Sequence, residues 1–396
     1  MNLMYITAGF PYPLTSGFLR HYHLLSRLAV DHRIRLFSML RTDQEPGDRA
    51  AVEALGVEVA TFDGYSSQPR RLAAKAVRLS PRLVAAGEAE LRAAVAECAA
   101  SGWPDAVFFA GKSAGAIRSI GALPLLVDAC DATSMRLASR LDQRTGFDRL
   151  LGRVQLQAMR SIESFLVERG DRVIVASRRD GDVLGWSDRM SVVANGVDTG
   201  YWTRRTPTRP ADTIIFTGKM SYHPNEDAAL RLVRDIYPRV LDRRPGAKLL
   251  IVGTSPRPVL VEAGRRSGVE VTGRVDDMRD HLDRATVFAA PIRHGAGIQN
   301  KLLEALAMGL PVVASSNAAD GLVVDGEQPP VTTTDDLDET AAAIVRELER
   351  ADADARPLDE NRAWVAERFD WDAAAARVDE ILHAITSGRR HSGAVA

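Results

Sequence analysis

Short apolar runs without polar alternation recur along most of the chain, separated by stretches whose apolar positions follow helical spacing. A run that is apolar at every position suits a strand buried on both faces, and therefore a parallel sheet. In the first half these runs are Leu3–Thr7, Ile34–Ser38, Val57–Ala60, Ala106–Phe109, Leu125–Val127, Val173–Val175 and Ser191–Val193. Helical patterns between them cover Gly17–Val30, Pro81–Ala100 and Phe147–Glu168. The alternation then pauses at Asn195–Pro210, a turn-rich stretch holding Pro207 and Pro210, which reads as a linker. A second series follows, with strands predicted at Thr213–Phe216, Lys248–Val252, Val269–Val271, Val287–Ala290, Val312–Ala314 and Leu322–Val324. Its helices are predicted over Asn225–Leu241, Pro256–Arg266, Met278–Arg284 and Asn300–Met308. Helical patterns at Asp335–Glu349, Asp359–Arg368 and Trp371–Ile385 close the chain, and Ser387–Ala396 reads as a disordered tail. Two βα series joined by one linker predict an α/β protein of two Rossmann-like, doubly wound domains facing each other across a cleft.

Composition narrows the function classes. The 396 residues carry a formal net charge of −1, so no whole-chain field favours nucleic acid or an anionic membrane. The two cysteines, Cys98 and Cys130, have no metal-ligand spacing and fit a reducing, cytoplasmic setting. The N-terminal MNLMYITAGF has no basic leader region and reads as a strand, so no signal peptide is expected. No apolar run approaches the roughly 20 residues a membrane span needs.

The densest chemical signal is Pro291–Ser315, PIRHGAGIQNKLLEALAMGLPVVAS. A strand runs into a glycine-rich loop, which feeds a helix starting near Asn300; Gly309 stands at the C-cap position and Pro311 follows it. Gly295 and Gly297 allow the backbone to approach a ligand closely. The helix start presents unpaired N–H groups and a partial positive charge, which suit a phosphate. Lys301 adds a full charge in the first turn, and Glu304, one turn on, suits ribose hydroxyls. The segment reads as a diphosphate–ribose cradle, although a strand-to-helix turn with two glycines is also compatible with a tight turn and nothing more.

The flanking residues resemble the donor-binding signature of the retaining glycosyltransferases of family 4, whose helix reads roughly E-A-M-A-x-G-x-P-V-V. Here Glu304–Val313 reads EALAMGLPVV. Four further segments resemble the family in order: FPYPLTSG (Phe10–Gly17), ANGVDTGYW (Ala194–Trp202), FTGKMSYHPN (Phe216–Asn225) and GRVDDM (Gly273–Met278). The nearest subgroup is that of bacterial sugar transferases with an R-x-G-x-G-I-x-x-K-x-L-E-A core, which Arg293–Ala305 matches.

The resemblance implies a GT-B fold. Residues 1–200 would form an acceptor-binding domain and 201–370 a nucleotide-sugar-binding domain. A final helix, 371–386, would cross back to the first, and 387–396 would be a tail. Glu304 would bind ribose and the backbone at Arg274 and Val275 the base. Gly295, Gly297, Ile298 and Asn300 would face the diphosphate and the sugar. Lys219 matches the first of the family's paired cations; Asn225 falls near the second, so Lys301 or Arg293 would supply that charge. The acidic residue usual eight positions before the glutamate is replaced by Ala296. On the acceptor side the resemblance points to Gly17, His21, Asp128 and Asp131. Helix capping for Asp131, a loop hydrogen bond for Asp128 and simple packing for His21 are the competing readings of those residues.

No metal and no cofactor are implied, because Asp276–Asp277 and Asp335–Asp336 read as helix starts. Arg70, Arg71, Lys75, Arg78 and Arg82 lie on a predicted helix. They read either as a solvated face or as a weak peripheral contact with the inner membrane face. The function expected is metal-independent, retaining transfer from a nucleoside-diphosphate sugar to a hydroxyl of a glycan, a lipid-linked sugar or a small natural product. The alternatives are a nucleotide-sugar epimerase or hydrolase on the same fold, and a catalytically inactive nucleotide-sugar-binding partner.

Overall fold

The computed structural model describes residues 1–14, 18–40, 46–63, 86–112, 115–139, 141, 145–208, 212–295, 297–324 and 326–392. The chain forms two compact units, Met1–Ala194 together with Trp371–Ala396, and Asn195–Asp370.

The first unit is built on seven parallel strands, β1 (Asn2–Thr7), β2 (Arg33–Leu40), β3 (Glu58–Asp63), β4 (Ala106–Ala110), β5 (Leu125–Cys130), β6 (Arg172–Val175) and β7 (Met190–Val192). Their order is β3-β2-β1-β4-β5-β6-β7, the doubly wound arrangement in which the sheet grows outward in both directions from β1. Both faces of the sheet are covered, which explains why its strands are apolar at successive positions. Leu3 and Tyr5 point into one core with Leu36, Phe108 and Ile174; Met4 and Ile6 point into the other with Val107, Phe109 and Val173. The first core also takes Val378, Ile381 and Leu382 from the final helix, Trp371–Ser392. That helix is fastened at its start by Trp371, stacked on His23 with ring centroids 4.6 Å apart, and by Asp372, which accepts from Arg27.

The second unit carries six parallel strands, β8 (Thr213–Thr217), β9 (Lys248–Val252), β10 (Val269–Val271), β11 (Val287–Ala290), β12 (Val312–Ala314) and β13 (Thr332–Thr333), in the order β10-β9-β8-β11-β12-β13. The helix predicted over Asn225–Leu241 begins at His223 and contains one wide π-type turn, Leu232–Ile236, before Tyr237–Leu241. Pro238 explains the irregularity: it has no N–H to donate back into a regular helix.

Several expected boundaries move. The first stretch of the first unit ends at Ala194, so residues 195–208 belong to the second unit and are pinned to it. Arg204 donates to the carbonyls of Asp283 and Ala285, and Arg362 donates to those of Thr199 and Trp202. The predicted strand Leu322–Val324 is not a ladder strand. Leu322 ends a short 3₁₀ turn and is fully buried, so its apolar character reflects packing rather than pairing, and the edge strand is Thr332–Thr333. The final helix continues to Ser392, into the stretch expected to be disordered, because no proline stops it and Gly388 alone weakens it. Gly17, Ala296 and Arg70–Arg82 lie outside the described residues.

Candidate functional site

In the second unit three glycines stand just beyond the carboxyl ends of adjacent strands: Gly218 after β8, Gly253 after β9 and Gly273 after β10. All have positive φ, 152°, 146° and 74° respectively. The loops nest so closely that a Cβ on Gly253 would lie 1.8 Å from the Gly218 carbonyl oxygen. The Gly253 N–H donates to the Gly273 carbonyl at 3.2 Å. Arg274 and Val275 follow at once, Arg274 exposed and Val275 half-buried.

The fourth loop leaves β11 and passes Arg293, Gly295 (φ 156°) and Gly297 (φ 71°) to reach the helix Asn300–Ala307. The close approach at Gly297 is real: a Cβ on Gly321 would lie 2.7 Å from its carbonyl oxygen. The helix has no acidic residue in its first turn and no side-chain cap, so its positive end is not neutralised from within. Gly309 closes it with φ 67°, and a Cβ there would press on Pro357 at 2.8 Å.

Lys301 is the centre of this arrangement. Its Nζ donates to Asn225 Oδ1 at 2.5 Å and lies 5.3 Å from the centroid of the Phe216 ring. Asn225, itself buried, uses its Nδ2 to hold the Lys219 carbonyl at 3.1 Å. A Cβ on Gly218 would lie 2.6 Å from that Nδ2 and 3.4 Å from Lys301 Nζ, so glycine is required there. Burial lowers the Lys301 ammonium to about 8, against an attraction to Glu304 that raises it. Burial likewise pushes the Glu304 carboxyl up to about 7, with Lys301 pulling it down. The two groups are thus held near the edge of their charged forms, in a place where an arriving anion would change the balance.

The other predicted donor residues take distinct positions. Asn300 Oδ1 accepts from Asn195 Nδ2 at 3.0 Å, so the first residue of the second unit braces the start of the helix. Ile298 is half-buried beside it. Arg293 is paired with Asp227 through bonds of 2.6 and 3.1 Å, which hold its pKa above the ordinary value. The Lys219 side chain is exposed. Asn225 was legible in the sequence only as a missing cation. Its role as the bracket between Lys301 and Lys219 depends on a contact 76 positions along the chain.

The acceptor-side residues of the first unit form a buried polar cluster. Arg20 Nε donates to Asp128 Oδ2 at 2.7 Å, and the Arg20 and Asp128 side chains are 2% and 0% exposed. The other Asp128 oxygen accepts from the Cys130 N–H at 2.9 Å, which steadies Cys130 at φ 52°. Arg20 also donates to the carbonyl of Ala194 at 3.2 Å. His21 is packed against Tyr5, whose hydroxyl lies 2.9 Å from its Nδ1; burial lowers its pKa to about 4, so it is neutral near pH 7. Asp131 is half-buried, with Thr133 and Arg136 near its carboxylate, and its carbonyl accepts from Lys112 at 3.0 Å. Ala132, not Asp131, occupies the N-cap position of the helix Thr133–Ala138. Neither Arg20 nor Lys112 stood out in the sequence, since single basic residues in a helix and a loop carry no local signal.

Among the described residues no group of three or more His, Cys, Asp and Glu is placed to hold a metal ion. Asp277 and Asp336 cap helices, accepting from Arg279 N–H and from the N–H groups of Asp338 and Glu339.

Comparison with known proteins bears on this geometry. Residues 211–350 match the family described as glycosyl transferases group 1. This group 1 segment contains the nested glycines, Asn225, Lys301 and Glu304. Among curated proteins, the chain is 29% identical over 225 residues to a phosphatidyl-myo-inositol mannosyltransferase of Mycolicibacterium smegmatis, covering 54% of this chain and 56% of that one. It is 31% identical over 244 residues to a GDP-mannose-dependent alpha-(1-6)-phosphatidylinositol monomannoside mannosyltransferase of Mycobacterium tuberculosis, covering 53% and 60%. The chain therefore spans under two thirds of the length of the curated relatives it matches. Among solved structures it is similar to Anabaena HepE in complex with UDP and glucose, with a TM-score of 0.67 at 16% identity over 97% of this chain and 100% of that one. TarM gives a TM-score of 0.68 at 8% identity, over 96% and 99%. These likenesses, with two parallel α/β units, establish the GT-B fold of two Rossmann-like domains.

Proposed function

We propose that this protein is a retaining glycosyltransferase that moves a sugar, without a metal ion, from a nucleoside-diphosphate sugar to a hydroxyl of a glycan or lipid-linked acceptor. The observation that carries the reading is the convergence of Lys301, Asn225 and Gly218 at the carboxyl edge of the second sheet, within a segment matching glycosyl transferases group 1. The helix start and the loop amides at Gly297 and Ile298 would receive the diphosphate. Lys301, helped by Lys219, would stabilise the charge that develops on the leaving group, and such electrostatic stabilisation commonly contributes more to the rate than any other single effect. Glu304 would accept from the ribose hydroxyls, and the turn at Arg274 and Val275 would hold the base. GDP-mannose is the first donor to test, because relatives of this chain are named for it. The first unit would take the acceptor. There Asp128 serves as a positioning residue, since both its oxygens are already engaged.

The test is release of nucleoside diphosphate from GDP-mannose and UDP-glucose in a chelator, with and without acceptors such as phosphatidylinositol or polyprenyl-diphosphate sugars. Acceptor-dependent release, with the α-configuration kept in the product, is the expected result. Equal release without any acceptor would mark a hydrolase, and release only on adding a divalent cation would overturn the metal-independent part. Lys301→Ala is expected to lower turnover by on the order of 10²-fold or more; a rate near that of the unmodified protein would remove Lys301 from the charge-stabilising role.

A further inference from the structure

The start of the helix Asn300–Ala307 departs from an ordinary rule of helix capping. Ser, Thr, Asp or Asn is preferred at the N-cap because a short side chain there takes one of the first N–H groups. Here the N-cap is Gln299, and its side chain makes no capping bond. Among the described residues the Gln299 amide has no side-chain hydrogen bond at all, and the residue is only half-buried. The first N–H groups of the helix are therefore not taken by a cap, and a long neutral amide is left at the helix mouth. A local rule broken without a local gain is expected at a functional position.

A second amide reaches the same place from another element. A Cβ on Gly295 would lie 3.4 Å from Gln299 Nε2 and 3.9 Å from Asn317 Nδ2, so both side chains approach that glycine. Asn317 belongs to the short helix Ser316–Ala319 that follows β12. This segment is firmly seated under the loop. Ser315 Oγ accepts from the Ala318 N–H and donates to the Ile292 carbonyl at 2.6 Å. Asn317 Nδ2 reaches the same carbonyl at only 3.4 Å, so the loop does not depend on Asn317 to hold it. Arg293, the cation of this loop, is spent on Asp227. Each amide offers donors and an acceptor, and a sugar hydroxyl is itself both donor and acceptor. The sugar of a nucleoside-diphosphate sugar is joined to the terminal phosphate through one oxygen. With that phosphate at the helix start, the sugar lies against the loop lining that carries these two amides.

We infer that Gln299 and Asn317 are specificity-determining residues of the donor site, their side-chain amides bonding hydroxyls of the transferred sugar. The inference rests on the reading of the second unit as a nucleotide-sugar site, and its test separates the two. Titration calorimetry on the full chain compares GDP, UDP, TDP and ADP with their glucose and mannose conjugates, in the unmodified protein and in Q299A and N317A. The quantity read is the ratio of the dissociation constants of a conjugate and of its own diphosphate. Each variant should bind the diphosphate as the unmodified chain does and weaken the conjugate roughly three- to tenfold, the loss of one neutral hydrogen bond. A merely structural role would move both ligands together. Should Q299A disturb the helix start and melt early, N317A still decides. Ratios unchanged in both variants overturn this inference and leave the donor site standing, as does equal weakening of diphosphate and conjugate, which would make the two residues braces of the loop. An unmodified chain that binds neither diphosphates nor conjugates overturns the donor reading and this inference with it.

Discussion

Lys301 and Glu304 lie one helical turn apart, and burial drives both toward their neutral forms. Lys301 loses its proton above about pH 8, so a diphosphate that depends on this cation should bind progressively less well as pH rises through that value. The loss should approach at most about tenfold per pH unit; titration calorimetry from pH 7 to 9.5 checks it, and flat affinity would show that Lys301 does not contact the anion. Glu304 has the opposite linkage to folding. Its folded pKa, about 7, lies above the ordinary 4.5, so the native state binds more protons between these values and its contribution to stability is lost as pH rises from 4.5 through about 7. Glu304→Gln should therefore lose less stability than the unmodified chain between pH 5 and pH 7.5 in urea denaturation. Parallel losses in the two proteins would contradict the buried-carboxyl account.

At the scale of elements, what matters is how loops and helices are made to meet. Gly253→Ala would force a Cβ against the Gly218 carbonyl in a backbone region that L-residues avoid. The expected cost is about 1–3 kcal/mol, together with loss of nucleotide binding, because the nested loops must separate. In the first unit, Arg20→Ala would leave the Asp128 carboxylate buried and unpaired. A loss of about 3–5 kcal/mol is expected, and Arg20→Met combined with Asp128→Leu should recover much of it. A double variant no more stable than the single one would show that the pair is not the source of the loss.

These same elements show what a sequence can and cannot disclose. Uniform apolar runs such as Val287–Ala290 and Val312–Ala314 coincide with strands because both faces of each sheet are covered. The loop and helix from Pro291 to Met308 were legible because glycine, proline and lysine sit at fixed local offsets. Thr332–Thr333 escaped because a two-residue, exposed edge strand needs no apolar side chain, while buried Leu322 imitated one. The Asn225–Lys301 and Arg20–Asp128 contacts were beyond reach for another reason: they join residues 76 and 108 positions apart, and only the packed sheets bring them together.

For the whole molecule, the first unit is discontinuous in sequence. Its core includes Val378 and Leu382 from the last helix, which the chain reaches only after completing the second unit. Removing residues 371–396 should therefore lower the thermal stability of the first unit and leave the second able to bind nucleotide. Loss of both together would mean that the two units do not fold as separable cores. The central claim is that the second unit is a nucleotide-sugar site built on Lys301. It is tested most directly by thermal shift of the full chain with GDP, UDP, TDP and ADP and their sugar conjugates in a chelator. A ligand that binds the native state raises its melting temperature by mass action. The account predicts a clear rise with one nucleotide family and its loss in Lys301→Ala. No rise with any of them, or a rise that Lys301→Ala leaves intact, would contradict it.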